Sequence, residues 1–458
     1  MGLALIPCTV WAAQAPEPGA LPPHVQLRPQ PPPLPQLAVT PETEARVAGL
    51  ILQLAPPEFA VRLEALTRLE GLGAEALPLL HQALQDSNQD VEVRRRLSEL
   101  VARLEANAAL QPTRVTLDCQ DLPIREVVAE LARQSGYKIE LWPQGNANAG
   151  DEREKRVLTL QLKDVTFWEA LHELCALGGL TFQEGWYGGD NRAIRLDFGD
   201  AVPAFVHLEG PCRLVARGMN FYRSMDFTNL TRGMNQPWEK QDQLLLNMSI
   251  TVEPRLPLLG VGQPVVALAV DENQQSMRAP LNNDPRTQRS YYYGNRGYMQ
   301  HVQVPLKATN GQRLAQLEGS LPVTLLALQR PKITVERLGN VKSETFRAGT
   351  TTLTIEEVTQ RAGGQTQVRM LLAEASPRGN VDYQWINTVT QRLEVLDEKG
   401  NKLPSHGSNW SINGNAVSGT FTFGTAPNGG GPATKLIYYE WVTMTHQVPF
   451  SFRDLPLP

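Results

Sequence analysis

The sequence predicts a multidomain α+β protein: an N-terminal helical repeat pair, a small duplicated βαβ domain and two C-terminal antiparallel β-sandwiches. Three observations carry that expectation. The chain has 458 residues, 41% hydrophobic and 20% charged, an ordinary globular composition at a length beyond what one core organises. Apolar residues recur at helical spacing up to about residue 110 and alternate at strand spacing beyond about residue 203. Between these regions the chain repeats itself, with "VTLDCQDLPIREVVAELARQSGYKIE" from Val115 and "LTLQLKDVTFWEALHELCALGGLTFQ" from Leu158, 43 positions on.

The first element, residues 1–15, reads "MGLALIPCTVWAAQA" and is apolar with small residues at its end. It reads as the second half of a secretory signal would, with Val10 and Ala12, or Ala13 and Ala15, facing a signal peptidase; without a positive n-region, either the start is late or the segment is not a signal. "LIPC" at Cys8 only loosely resembles a lipoprotein box, because Pro7 precedes the cysteine. Export to the periplasm or cell envelope is the expectation, and a cytoplasmic location is the alternative. Residues 16–39 include "PEPGALPPHVQLRPQPPPLP", whose prolines block helix and sheet pairing and leave an extended linker. No later stretch of about 18 apolar residues predicts a transmembrane segment.

Residues 40–110 follow a helical pattern. Thr40 is a suitable N-cap with Pro41 at the first helical position. "RLEALTRLEGLGAEALPLLHQALQD" then gives a helix, a glycine-containing turn and a second helix, and "NQDVEVRRRLSELVARL" opens another. The pattern resembles a HEAT-type repeat, with a plain helical bundle as the alternative. Arg94, Arg95 and Arg96 form either an anion patch or a solvated helix face.

The duplicated unit occupies 114–198. Its copies share Thr116/Thr159, Leu117/Leu160, Asp121/Asp164, Glu126/Glu169, Glu130/Glu173, Leu131/Leu174 and Gly136/Gly179 without a gap. Each opens as a strand that Asp121 or Asp164 ends in a turn. Each continues as a helix with its apolar face at Ile124, Val127, Val128 and Leu131, or at Phe167, Ala170, Leu171 and Leu174. Gly136 and Gly179 stand where a helix C-terminus wants a left-handed residue. "YKIEL", "LTFQE" and "AIRLDF" supply further strands, and neither half is large enough to fold alone.

A strand ending in "KDV", the helix "FWEALHELCALGGL" and the strand after it resemble the secretin and TonB short N-terminal domain, and "LPIREVVAELARQSG" resembles its secretin-type form. The resemblance implies an extracytoplasmic docking module. The chain shows neither the amphipathic strands of a secretin channel nor a TonB-dependent barrel with plug, so only the docking character carries over.

Beyond about residue 203, alternating strands are broken by Gly, Asn and Pro clusters, and two β-sandwiches are expected at 203–330 and 331–458, divided near Pro331. "ALAVDENQQSM" echoes "EVLDEKGNKLP" at Asp271-Glu272 and Asp397-Glu398. "HVQVPL" from His301 echoes "HQVPFSF" from His446. Both echoes point to a second duplication.

Among chemical constellations, no nucleophile elbow, P-loop, HExxH or kinase signature is present. His172 and Cys175 lie one helical turn apart without further ligands nearby. Glu126/Glu130 and Glu169/Glu173 read as solvent-facing helix positions, and the Asp-Glu pairs as turn residues. Cys119 and Cys175 fall in apolar patterns and read as free thiols, with a mutual bridge as the alternative. Lys and Arg are scattered and the formal net charge is −4, so no nucleic-acid footprint is present. The candidate interaction surface is aromatic: Tyr291, Tyr292, Tyr293, Arg296 and Tyr298 on one glycine-containing insert, with Trp186 and Tyr187 at a second tip.

The expected function is a non-catalytic exported scaffold that docks envelope proteins, linked to a secretion or envelope assembly. The alternative is a carbohydrate- or cell-wall-binding protein that takes a glycan on its sandwich loops. An enzyme of unfamiliar type is the third reading. No catalytic residue, metal or cofactor is assigned.

Overall fold

The structure, a computed structural model, describes residues 40–55, 58–86, 90–142, 156–183, 193–199, 202–225, 240–279, 299–361, 364–375, 381–425 and 431–458. It is a mixed α+β protein with several antiparallel sheets. No helix among the described residues is long and apolar enough to cross a membrane.

Four helices lead: α1 (Pro41–Leu52), α2 (Phe59–Leu72), α3 (Leu77–Gln85) and α4 (Val91–Leu110). The Thr40 hydroxyl accepts from Thr43 N at 3.2 Å and caps α1, with Pro41 beginning the helix. Asp90 caps α4 by accepting from Glu92 N at 2.8 Å and Val93 N at 3.3 Å. Leu50, Leu54, Leu69, Leu80, Leu97, Leu100 and their neighbours form one core. The arginine run is engaged within this segment. Arg95 bridges Glu92 and Glu99, Arg94 donates to Asp86 O, and Arg96 donates to Leu54 O.

The duplicated unit comprises β1 (Arg114–Pro123), α5 (Ile124–Ser135), β2 (Ile139–Trp142), β3 (Val157–Thr166), α6 (Phe167–Gly178), β4 (Leu180–Gln183) and β5 (Ile194–Phe198). β1 pairs antiparallel with β3, while β5 lies between β2 (parallel) and β4 (antiparallel). Both sheets and both helices bury residues in one core. The copies bind each other reciprocally. Asp121 N donates to the Thr159 hydroxyl and Asp164 N to the Thr116 hydroxyl. Ile124 N donates to Arg156 O and Phe167 N to Thr113 O. Asp121 and Asp164 have φ of 49° and 50°, the left-handed region where aspartate is among the better tolerated non-glycine residues. They do not end the strands, as the sequence suggested. They form irregularities inside them, and pairing resumes to Pro123 and Thr166 because the partner copy supplies the hydroxyl that holds each turn.

The remaining strands are β6 (Val206–Glu209), β7 (Cys212–Met225), β8 (Lys240–Val252), β9 (Leu258–Val261), β10 (Val265–Asp271), β11 (Met299–Leu306), β12 (Arg313–Glu336), β13 (Glu344–Ala348), β14 (Thr351–Gln360) and β15 (Thr366–Glu374). After the short helix α7 (Tyr383–Thr388) come β16 (Leu393–Asp397), β17 (Ser405–Asn413), β18 (Ala416–Phe423) and β19 (Ala433–Pro456). One sheet runs β6-β7-β8-β11, a second β13-β14-β15-β18-β17, and a third β10-β12-β19-β16 with β9 beside β12. The third sheet serves two cores. The first half of β12 and the second half of β19 face the β6–β11 sheet, whereas Ile333, Val335, Leu436 and Tyr438 face the β13–β18 sheet.

The expected boundary near Pro331 therefore falls inside β12, where pairing shifts between Pro331 and Ile333. Residues 448–455 of β19 supply Val448, Phe450, Phe452 and Leu455 to the first core, so chain order and core membership do not coincide. Strand order nevertheless repeats, with β6, β7, β8, β10, β11 and β12 answered by β13, β14, β15, β16, β18 and β19. The Asp echo marks equivalent turns. Asp271 N donates to Gln275 O and Asp397 N to Asn401 O; Met277 N donates to Ala269 O and Leu403 N to Val395 O. Asp271 Oδ1 accepts from Asn273 N and Gln275 N, and Asp397 Oδ1 from Lys399 N and Asn401 N. The His echo does not correspond. His301 lies in β11, whose counterpart is β18, while His446 lies in β19 opposite Val323. Any two alternating strands can share so short a pattern.

Asp397 is buried, and burial alone would raise its pKa; donors from Asn401 and Lys399 outweigh that and hold it below the ordinary carboxylate value. Replacing Asp397 with Ala leaves those donors unmatched and is expected to cost about 1–3 kcal/mol, read as a lowered urea midpoint. Because the folded value is depressed, the stability it contributes is present above pH ~4 and is lost as pH falls through the folded value. Asp397→Asn is expected to flatten the acid limb of the stability profile.

Candidate functional site

Every sequence-derived aromatic candidate lies outside the described residues: Tyr291, Tyr292, Tyr293, Arg296, Tyr298, Trp186 and Tyr187. The described geometry directs attention instead to the joint between the duplicated unit and the β-rich region, and to the helix that this joint leaves open.

The joint centres on Glu253, which follows β8 and is fully buried. Its carboxylate accepts from Thr113 N at 3.0 Å, the Thr113 hydroxyl at 2.7 Å, the Tyr137 hydroxyl at 2.7 Å and Arg255 Nε at 2.9 Å. Arg255 also donates to Gln111 O, just beyond α4. One carboxylate thus ties the end of the helical segment, the start of β1, the end of α5 and the exit of β8. Burial, reinforced by Glu253, pushes the Tyr137 phenol well above its usual value, so it stays a proton donor. The Pro211 carbonyl completes the joint by accepting from Glu253 N at 3.0 Å and Trp168 Nε1 at 2.9 Å.

Trp168 shows how the copies diverge. It is completely buried on α6, whereas its counterpart on α5 is Arg125, which is exposed. The next position on that face is His172 on α6 and exposed Ala129 on α5. Trp168, His172, Cys175, Phe182, Pro203 and Arg213 line a cleft of about 20 Å³, with the Arg213 guanidinium 5.2 Å above the Phe182 ring. That is room for about one water. Burial pushes the Cys175 thiol up to about 12, and burial with Glu253 does the same to Cys212, so both stay protonated at neutral pH. His172 and Cys175 both line this cleft beside Trp168. Cys119 and Cys175 are free and buried. Among the described residues no group of three or more His, Cys, Asp or Glu could hold a metal ion.

Of the paired helix carboxylates, Glu130 and Glu169 have structural partners. Glu169 closes a capping box with Thr166. Arg133, then Gln134, hydrogen-bond Glu130 and bring its pKa down to about 2. On α5 the exposed positions Arg125, Glu126, Ala129 and Arg133 share a face near β2, a strand with one neighbour among the described residues. Sequence reasoning missed Glu253 because Thr113 and Tyr137, which donate to it, lie over a hundred residues away. Its one local signal is an acidic residue closing the alternating run "LLLNMSITVE". No family model, curated protein or solved structure matches the chain.

Replacing Glu253 with Ala strands the half-buried Thr113 and buried Tyr137 donors and leaves Arg255 without its carboxylate. The expected cost is about 3–5 kcal/mol in urea unfolding. Tyr137→Phe removes one donor and is expected to cost about 1 kcal/mol.

Proposed function

We propose that the chain is a docking scaffold of the cell envelope, exported and non-catalytic, in which the secretin-like duplicated module presents α5 and the edge of β2 to an envelope protein. The observation that carries this reading is the unequal use of two equivalent helices: Trp168 commits α6 to the joint, while Arg125 leaves α5 facing solvent. A duplicated fold needs both helices for its core. It does not need one outer face to be charged and open while its counterpart is packed against another part of the chain. The reciprocal bonds and the Glu253 joint fix that face relative to the region that follows, so a partner meets a preformed surface. Strand addition to β2 and charge pairing with α5 are compatible modes of engagement. The helical-repeat segment and the two β-sandwiches of this reading serve as the frame that carries the module.

The test is co-purification from envelope fractions with the full chain, comparing wild type with Arg125→Glu/Arg133→Glu and with Lys163→Glu on the exposed β3 surface. The double charge reversal is expected to abolish specific partners in a variant whose circular dichroism shows the fold retained, and Lys163→Glu to retain them. Partners indifferent to the α5 reversal, or fractionation of the protein to the cytoplasm, would overturn this reading.

A further inference from the structure

We propose that the protein self-associates through β17, with two copies joining their β13–β18 sheets edge to edge across a two-fold axis near Asn409. Among the described residues, one long sheet edge is unprotected. β17 ends its sheet, has β18 as its one neighbour among the described residues, and is exposed at every position except half-buried Trp410. Edge strands are ordinarily blunted by charge, proline or shortness. β13, at the other end of this sheet, carries Glu344 and Arg347. β2, β4 and β6 have four residues each, and β11 contains Pro305. The ends of β10 and β16 are covered by the turns that follow, through Met277 N to Ala269 O and Leu403 N to Val395 O. β17, "SHGSNWSIN", has nine residues with no proline, lysine, arginine, aspartate or glutamate.

That composition points to a second copy as the occupant. A two-fold pairing sets every side chain against its own strand read backwards, so any charge near the axis would meet its like. About Asn409 the antiparallel register places Ser408 of one copy against Trp410 of the other, His406 against Ile412, Gly407 against Ser411, and Asn409 against itself. No charged pair arises. Direct cross-strand neighbours share a face. Ser408, Trp410 and Ile412 pair within the chain with Phe421, Gly419 and Val417, of which Phe421 and Val417 belong to the second core. The inner face of β17 is therefore the unfinished margin of that core. Ile412 is 48% exposed there, and Trp410 lies against Gly419, where a Cβ would come within 2.5 Å of the tryptophan. Two-fold pairing brings two copies of Trp410 and Ile412 onto one continuous apolar face. A nine-residue strand runs about 30 Å. An interface built on it lies toward the low end of specific contacts, about 1,200 Å² in total or below, which fits a reversible, concentration-dependent dimer.

Sedimentation velocity of the full chain is the test, up to about 100 µM, roughly a hundredfold above a micromolar Kd. The expected result is a monomer–dimer shift with concentration. Asn409→Lys and, separately, Ser411→Lys should each weaken it at least tenfold, while Arg347→Glu on β13 leaves it unchanged. An unchanged urea midpoint identifies the folded variants, and two independent substitutions keep the test decisive if one fails to fold. A monomer throughout the range, or a dimer insensitive to both lysines, would overturn the proposal. So would a weakening by Arg347→Glu equal to theirs, or an extended envelope peptide rather than a second copy protecting the β17 amides from exchange.

Discussion

A single buried carboxylate sets the geometry on which the functional reading depends. Glu253 closes β8 within reach of Thr113, Tyr137 and Arg255, and Arg255 reaches Gln111 in turn. Unpaired, a fully buried carboxylate would be strongly unfavourable. It is tolerated because donors from separate parts of the chain converge on it, and that requirement locks those parts together. Once Thr113 is held, its carbonyl receives Phe167 N and starts α6. With α6 in place, the Trp168 indole reaches the Pro211 carbonyl, which Glu253 N also binds. The orientation of α6 follows from this closed circuit of hydrogen bonds, which also holds the end of α5 through Tyr137.

The molecule twice uses approximate internal symmetry and twice breaks it. In the smaller unit, Asp121 and Asp164 adopt the same left-handed turn, each supported by the other copy's threonine. Neither copy can satisfy that backbone amide alone. In the larger region, β12 and β19 pair along nearly their whole lengths and exchange halves, so each core closes with strand from both repeats. Exchange of this kind gives cooperativity between repeats that a linear string of domains lacks. Function is read where equivalence fails: Trp168 against Arg125, and the nine-residue β17 at the open margin of its sheet.

Much of the local structure was legible in the sequence because it depends on near neighbours. The cap at Thr40, the left-handed glycines Gly136 and Gly179, the helix faces and the turn at Asp397 all rest on residues within a few positions. The duplication at 115–183 was legible for the same reason, since its shared residues specify strand, turn and cap. The passage of β12 and β19 through both cores was not, because an alternating strand does not reveal which sheet faces each stretch of it. Nor was the joint. Glu253 looks like any acidic residue before a proline turn, and the contrast between Trp168 and Arg125 was visible but acquired meaning only once Pro211 stood beside the indole. The sequence directed attention to aromatic inserts, while the described candidate surface is a charged helix face that resembles an ordinary solvated one.

Hydrogen exchange measured by mass spectrometry on the wild type and Glu253→Ala tests whether Glu253 couples α6, the start of β1 and the β6–β7 turn through one buried carboxylate. Segments 113–118, 166–180 and 205–216 are expected to lose protection together when Glu253 is removed, while 351–374 in the second core keep theirs. Protection unchanged in those three segments, or lost uniformly through the second core as well, would contradict that coupling.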